Sequence, residues 1–315
     1  MNILVTGGNG LIGSALMDML LKENHKVILF GRRFDTKYFT EEEKQKIEFV
    51  KGDLATFEHV LSAVEKSKPE VIYHIGAMLS VPSEADPQTS FHVNACGTYY
   101  VLEAARLFKV RQVIFSSSLS TYGLDIKGDL VDESTVQRPS TVYGIYKAFS
   151  ENLGQYYRSK YDIDFRAARF AAIVGPGAKT KHIGVYNTWM IEKSYLGEPY
   201  KIFVTPDIVS SVTYFKDAAA SLMQLAAAPK ENIKTVCYNL PGHRVTAGEL
   251  ADLVTKLVPG VQLSFEPEEE IVNIFKSKGP KEYDCSKAIE EWNWKPSYSL
   301  EEMIIDFGVE MKKWM

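Results

Sequence analysis

Three stretches of the chain read Tyr-x-x-x-Lys: Tyr143 with Lys147, Tyr156 with Lys160, and Tyr283 with Lys287. On a helix, residues four apart share a face, so each pair can set a phenol beside an ammonium. Such a pair can move a proton to or from an oxygen. A phenol with a pKa near 10 is a poor base at neutral pH, and lowering it by two to three units takes roughly 3 to 4 kcal/mol of anion stabilisation. An ammonium about 4 to 5 Å away, at an effective dielectric near 20, supplies roughly that much. The spacing recurs, so context decides. Tyr143 opens a predicted helix, VYGIYKAFSENLGQYY, one loop after IFSSSLSTYG, a predicted strand whose far end carries hydroxyls. Ligands of parallel sheets sit beyond such strand ends. Tyr156 lies about three turns further along the same helix, away from that end. Tyr283 falls in a late charged segment that reads as the start of a helix. Those two read as surface or packing residues. The catalytic candidates are Tyr143 as acid/base, Lys147 as its helper, and Ser118 as the hydroxyl that holds a substrate oxygen.

A second constellation needs a phosphate. TGGNGLIG, residues 6 to 13, follows a predicted strand and opens a predicted helix. Glycine supplies positive φ cheaply and lets the backbone approach a pyrophosphate, which then faces a helix N-terminus. The expected cradle is Gly7, Gly10, Leu11, Ile12 and Gly13, and the expected ligand a nicotinamide dinucleotide. After the second strand an acidic residue holds a ribose hydroxyl, whereas arginine suits a 2′-phosphate. Here VILF ends in Gly31, Arg32 and Arg33, with Asp35 only later. This pattern favours NADP and leaves NAD open. Asp53, with Leu54 beside it, is placed to meet the adenine amino group. Gly76 and Ala77, after the fourth strand, are expected near the middle of the cofactor, and His74 is expected to be structural.

These residues need a scaffold. Short apolar runs alternate with helical stretches through the first half, which predicts a Rossmann-type, doubly wound parallel sheet (α/β) with a smaller C-terminal α/β substrate lobe. Helices are expected near 11–23, 56–66, 89–108, 217–228, 247–257 and 301–313. The dinucleotide-binding domain is assigned to residues 1–170 plus about 210–240. The substrate-binding lobe takes about 171–209 and 241–315. Gly175 to Gly184 reads as a loop suited to a lid, carrying Lys179, Lys181 and His182.

Composition narrows the function. The net charge of −4 and the absence of a basic run argue against a nucleic-acid partner. No apolar run reaches the roughly 18 residues of a membrane span, and no signal peptide is visible at the start. Cys96, Cys237 and Cys285 are odd in number and far apart, which predicts neither disulfides nor a metal site and fits a cytoplasmic setting.

Together, TGGNGLIG, the GDL at 52–54, HIGA at 74–77, Asn94 to Gly97, SSSLSTYG, YGIYK and WNWKPSYSLEE at 292–302 resemble the extended short-chain dehydrogenase/reductase family, which includes sugar-nucleotide epimerases and dehydratases. The resemblance spans essentially the whole chain. It implies that Ser118, five residues before the glycine of SSSLSTYG, is the catalytic hydroxyl. It implies that Tyr143 and Lys147 also contact the cofactor. It further implies a homodimer through helices near 89–108 and 145–160. Two departures weaken a nucleotide-diphosphate substrate. Arg169, Phe170, Ala171 and Ala172 stand where epimerases carry an asparagine, and Ser210 and Ser211 stand where they tend to carry an arginine. AMLSVPSEADP and PSTVYGIYK look nearer the branch of threonine 3-dehydrogenase and hydroxy-acid dehydrogenases, a branch that commonly prefers NAD. The expected substrate is thus a small hydroxy or keto compound met by Met78, Ser80, Ser118, Ser120 and Tyr143, with Leu79, Tyr186 and Trp189 as further cleft hydrophobes. The alternatives are an epimerase or dehydratase that returns the hydride within one turnover, and a cofactor-binding regulatory protein without catalysis.

Overall fold

The computed structural model describes residues 1–35, 38–123, 125–279 and 281–314, with backbone alone at Lys278 and Trp314. The chain begins β1 (Asn2–Thr6), α1 (Leu11–Lys22), β2 (Lys26–Gly31), α2 (Glu41–Lys46), β3 (Ile47–Lys51), α3 (Phe57–Ser67) and β4 (Val71–His74). It continues through α4 (Ser80–Ala85), α5 (Pro87–Ser90), a π-helical turn at Phe91–Cys96 and α6 (Gly97–Leu107) to β5 (Gln112–Ser118). Next come β6 (Leu130–Val131), α7 (Val142–Tyr161), β7 (Asp164–Phe170), β8 (Ala172–Val174), α8 (Tyr186–Tyr195), β9 (Tyr200–Ile202) and β10 (Val209–Tyr214). The last elements are α9 (Phe215–Ala227), β11 (Cys237–Leu240), β12 (His243–Thr246), α10 (Ala247–Leu257), β13 (Leu263–Phe265), α11 (Glu269–Lys278), β14 (Glu282–Tyr283), α12 (Ser286–Trp292) and α13 (Leu300–Trp314).

Seven parallel strands form the main sheet in the order β11-β7-β5-β4-β1-β2-β3. Helices cover both faces, so the central strands are buried on both sides: all seven residues of β7 and four of five in β1 are enclosed. One core packs Leu16, Met17 and Leu20 of α1 with Ala218, Leu222 and Leu225 of α9, and Trp292 and Trp294 return to it from the far end of the chain. The opposite face packs Val101, Leu102 and Ala105 of α6 with Val60 and Val64 of α3. Burying one such Leu or Val contributes roughly 1.5–3 kcal/mol. The strand order reverses between β1 and β4, and open sheets of this kind bind ligands in the crevice at that switch.

A second core lies around three-stranded β12-β10-β8 and two-stranded β13-β9. It joins Met190 and Ile191 of α8, Leu250 and Val254 of α10, and Ile304 and Phe307 of α13. Tyr186 is wholly enclosed in this core and does not line a cleft, because α8 turns that face inward. The helix expected over 89–108 is present and runs without a gap through α5 and α6, with residues 91–96 wound as a π-helical turn inside it. No described helix is long and apolar enough to cross a membrane.

Candidate active site

The glycine turn sits at the sheet's switch point. Gly7 follows β1 with φ +78°, and a Cβ there would meet the Gly76 amide after β4. A Cβ on Gly13 would run into the Gly7 carbonyl. Glycine is thus required by close backbone approach as well as by φ. Gly10 caps α1 with no side chain, and the first turn of the helix carries no acidic residue. The amides of Leu11, Ile12 and Gly13 open this helix, whose N-terminal dipole favours an anion. A diphosphate fits this cradle. Leu54 packs against Gly76, within reach of a Cβ there, so the stretches holding Asp53–Leu54 and Gly76–Ala77 meet at the same crevice. One Asp53 oxygen accepts the Ala55 amide at 3.0 Å.

Asn9, inside the glycine motif, was not singled out from the sequence. Its Nδ2 donates to the Arg33 carbonyl at 2.6 Å, and its Oδ1 accepts the Asp35 amide at 2.9 Å. The turn after β1 therefore fixes the loop after β2. Arg32 and Arg33 are exposed on that loop. His74 is enclosed and neutral, with burial holding its pKa down at about 3. Its ring bridges Thr6 Oγ1 at 2.8 Å and Thr98 Oγ1 at 3.1 Å. That arrangement is the structural role expected of it.

At the C-terminal end of β5, Ser118 faces the start of α7. Thr141 caps this helix by accepting the Gly144 amide, and Glu84 accepts the Val142 amide at 2.7 Å. These bonds anchor the turn that carries Tyr143. The Tyr143 phenol lies beside Ser118, whose hydroxyl favours its ionised form. Ser120 joins them, its Oγ 2.6 Å from Ser118 Oγ. Lys147 is buried, lies 5.5 Å from the Tyr143 ring centroid, and donates to the Ser116 carbonyl at 2.6 Å. The three sequence-predicted residues thus converge.

Their electrostatics differ from the expectation that Lys147 lowers the phenol. Burial pushes Tyr143 up to about 12, with the Ser118 hydrogen bond opposing it. Burial pushes Lys147 down to about 7, with the Glu151 carboxylate opposing that. Desolvation disfavours both charged forms, and one of the lysine's three donors is already engaged by a backbone carbonyl.

The other Tyr-x-x-x-Lys pairs are separate from this cluster. Tyr156 is 51% exposed. Tyr283 lies in β14, paired with β6, rather than at the start of a helix. Its ring packs near Tyr122, and Lys287 pairs with Glu290 on the surface.

Asn94 was noted only as part of a motif. From the π-helical turn, its Oδ1 accepts the Met78 amide at 2.7 Å and its Nδ2 donates to the Met78 carbonyl at 2.9 Å. Extra turns of this type recur at functional sites, and here the turn orients the Met78–Ser80 segment. In the 175–184 loop, Lys181 pairs with Glu268 at 2.6 Å, and burial holds His182 below the usual histidine pKa. Lys179 and Lys181 are both exposed.

Comparison with known proteins bears on this arrangement. The model of the NAD dependent epimerase/dehydratase family matches residues 3–240. The bovine mitochondrial L-threonine 3-dehydrogenase is 26% identical over 308 residues, covering 96% of this chain and 80% of that protein. The UDP-glucose 4-epimerase of Mycolicibacterium smegmatis is 36% identical over 182 residues, covering 56% of this chain and 57% of that one. The structure of L-threonine dehydrogenase from Clostridium difficile superposes with a TM-score of 0.89 at 26% identity, covering 99% of this chain and 98% of the other.

Proposed function

We propose, from the premise that this chain belongs to the NAD dependent epimerase/dehydratase family and is a nicotinamide-dependent hydride-transfer enzyme of the extended short-chain dehydrogenase/reductase type, that it carries out net oxidation or reduction of a small hydroxy or keto compound. The observation that carries this reading is the convergence of Ser118, Tyr143 and Lys147 beside the switch-point crevice. When bound, the nicotinamide supplies the hydride acceptor or donor. Ser118 and Ser120 hold the substrate oxygen. Tyr143 takes the proton from an alcohol or gives one to a carbonyl at its phenolic oxygen. Lys147 stabilises the phenolate and reaches the cofactor ribose. Met78 and Ser80, on the segment clamped by Asn94, form one wall of the substrate cleft.

Two comparisons bear on the substrate. Relatives covering nearly the whole chain act on L-threonine, a small β-hydroxy amino acid. The partial-length epimerase relative acts on a nucleotide sugar. Ala172 and the pair Ser210–Ser211 offer no charge for a diphosphate, and Lys181 is engaged with Glu268. These features favour the compact substrate over the epimerase or dehydratase reading.

NADP is the favoured cofactor over NAD, because Arg32 and Arg33 are exposed beside Gly31 and the Asn9 clamp holds their loop against the glycine turn. We assign residues 1–170 plus about 210–240 to the cofactor and about 171–209 and 241–315 to the substrate, although Trp292 and Trp294 pack in the first core and Val212 and Tyr214 in the second. A homodimer is supported by Ile145, Phe149 and Tyr156, large exposed residues on one face of α7, beside exposed Tyr99 and Leu107 on α6. Unpaired Cys96, Cys237 and Cys285 support a cytoplasmic setting. The deciding experiment follows absorbance at the reduced-nicotinamide band across a panel of hydroxy acids, β-hydroxy amino acids and small ketones. Net change in step with product supports the reading. Product without net change supports an epimerase or dehydratase, and retained cofactor binding without turnover supports a regulatory protein.

A further inference from the structure

One helical turn beyond Lys147, α7 buries a second ionisable group completely. Glu151 is 0% exposed. Its carboxylate accepts Ser117 Oγ at 2.5 Å, Arg169 Nε at 2.9 Å and Nη2 at 2.7 Å, and Gln137 Nε2 at 2.7 Å. The donors come from three directions: β5, β7 and the loop before α7. Ser117 and Arg169 are register partners on adjacent strands, so the sheet presents both to one carboxylate. The neighbouring residue on β5, Ser116, receives Lys147. Successive residues of one strand thus hold successive turns of one helix.

Burying an ion pair is poor stabilisation. The desolvation penalty rivals the attraction, and an apolar replacement is often as stable. The arrangement therefore calls for another consequence, and its position supplies one. We propose that Glu151 is the positioning residue for the proton-transfer pair: its enclosed carboxylate, oriented by Arg169, Ser117 and Gln137, keeps the Lys147 amine in its ammonium form beside Tyr143. This rests on the reading that Lys147 serves Tyr143.

The surroundings leave few other sources for that effect. Lys147 faces Tyr143 and Glu151 from α7, the Phe115 ring at 4.5 Å and the Ser116 carbonyl from β5, and His74 from β4. Phenol and imidazole are both neutral near pH 7, since burial raises the one and lowers the other. Around Glu151 the remaining groups are Arg169, the Tyr122 phenol whose oxygen accepts from Arg169 at 2.6 Å, Glu133, and the enclosed Cys237 thiol. Arg169 reaches Glu151 from β7 and does not cross to Lys147. Among the influences on the Lys147 amine, the Glu151 carboxylate is the one that restores its charge against burial. Its hydrogen bonds are taken by other donors, so it acts through space and its influence depends on its charge.

The test uses the full chain with lysine labelled at 13Cε, the Lys147 signal being assigned by its loss in Lys147→Met. In Glu151→Gln the Lys147 titration midpoint should fall by about one pH unit or more, the size expected of a unit charge one helical turn away at intermediate dielectric. Glu151→Asp should restore part of that shift. Turnover of Glu151→Gln relative to wild type should decline as pH rises from 6 to 8. Glu151→Gln/Arg169→Met removes both charges, so no buried guanidinium is stranded, and it serves if the single variant does not fold. An unmoved Lys147 midpoint in either folded variant would overturn the proposal. Retained turnover in Lys147→Met would instead sink the catalytic reading, whatever the midpoint does.

Discussion

The amine of Lys147 lies 5.5 Å from the centre of the Tyr143 ring, on the same face of one helix, and burial moves the two groups in opposite directions. The phenol is pushed up to about 12 and the ammonium down to about 7. The resting protein therefore holds a neutral phenol beside an amine whose charge burial opposes and the Glu151 carboxylate favours. As an acid, Tyr143 is ready. As a base it must first lose a proton.

This charge state sets a pH prediction. Alcohol oxidation needs the phenolate, whose fraction rises with pH below the phenol's pKa. For oxidation, kcat/KM should climb by up to about tenfold per pH unit between 8 and 10, while ketone reduction works near neutrality. A flat or falling oxidation profile across that range would contradict it.

Lys147 should weaken the fold near neutrality while serving the reaction. Its folded pKa is depressed, so between about 7 and the unfolded value near 10.4 the unfolded chain binds the extra proton. That makes stability rise with pH through this window, with the full penalty present below it. Lys147→Met should raise Tm by several degrees at pH 6–7, with the gain shrinking toward pH 10, and should lose activity and weaken cofactor binding. Calorimetry showing a lower Tm at pH 6.5 would count against the buried-ammonium penalty.

For cofactor choice, Arg32→Ser/Arg33→Ser should weaken NADP binding at least tenfold and leave NAD binding nearly unchanged, since the charged hydrogen bonds to a 2′-phosphate are the ones removed. Fluorescence titration of both cofactors decides. Equal losses, or tighter wild-type binding of NAD, would refute the assignment.

Substrate size is testable without knowing the substrate. Calorimetric titration with UDP, GDP, CDP and dTDP at saturating cofactor should show no saturable binding. Tight binding of any one of them, involving the 175–205 segment, would move the enzyme to the epimerase/dehydratase reading.

Much of this site was legible in the sequence because local chemistry encodes it. The turn at Gly7 to Gly13 needs glycine for backbone approach, and alternating apolar runs mark the strands of a buried parallel sheet. Context also separated Tyr143 from Tyr156 and Tyr283. What was not legible depends on partners far apart in sequence. The Asn94 clamp on Met78 requires a π-helical turn that periodicity does not reveal. Tyr283 reads as the start of a helix until β14 is seen to pair with β6. The raised pKa of Tyr143 is not legible in the sequence, because desolvation is invisible in spacing. Glu151 did leave a signal, four residues after Lys147 on the same face, but its meaning needed Arg169 brought alongside by β7.

Proton transfer at this site depends on the Tyr143 phenol. Tyr143→Phe keeps the ring's packing and removes the oxygen that moves the proton. With a substrate found by the absorbance panel, wild type and variant should be compared at matched cofactor saturation, with Tyr156→Phe as control. The predicted result is a loss of turnover of about 100-fold or more in Tyr143→Phe, with cofactor affinity nearly unchanged and Tyr156→Phe close to wild type. Retention of more than about a tenth of the wild-type rate in Tyr143→Phe would contradict the assignment.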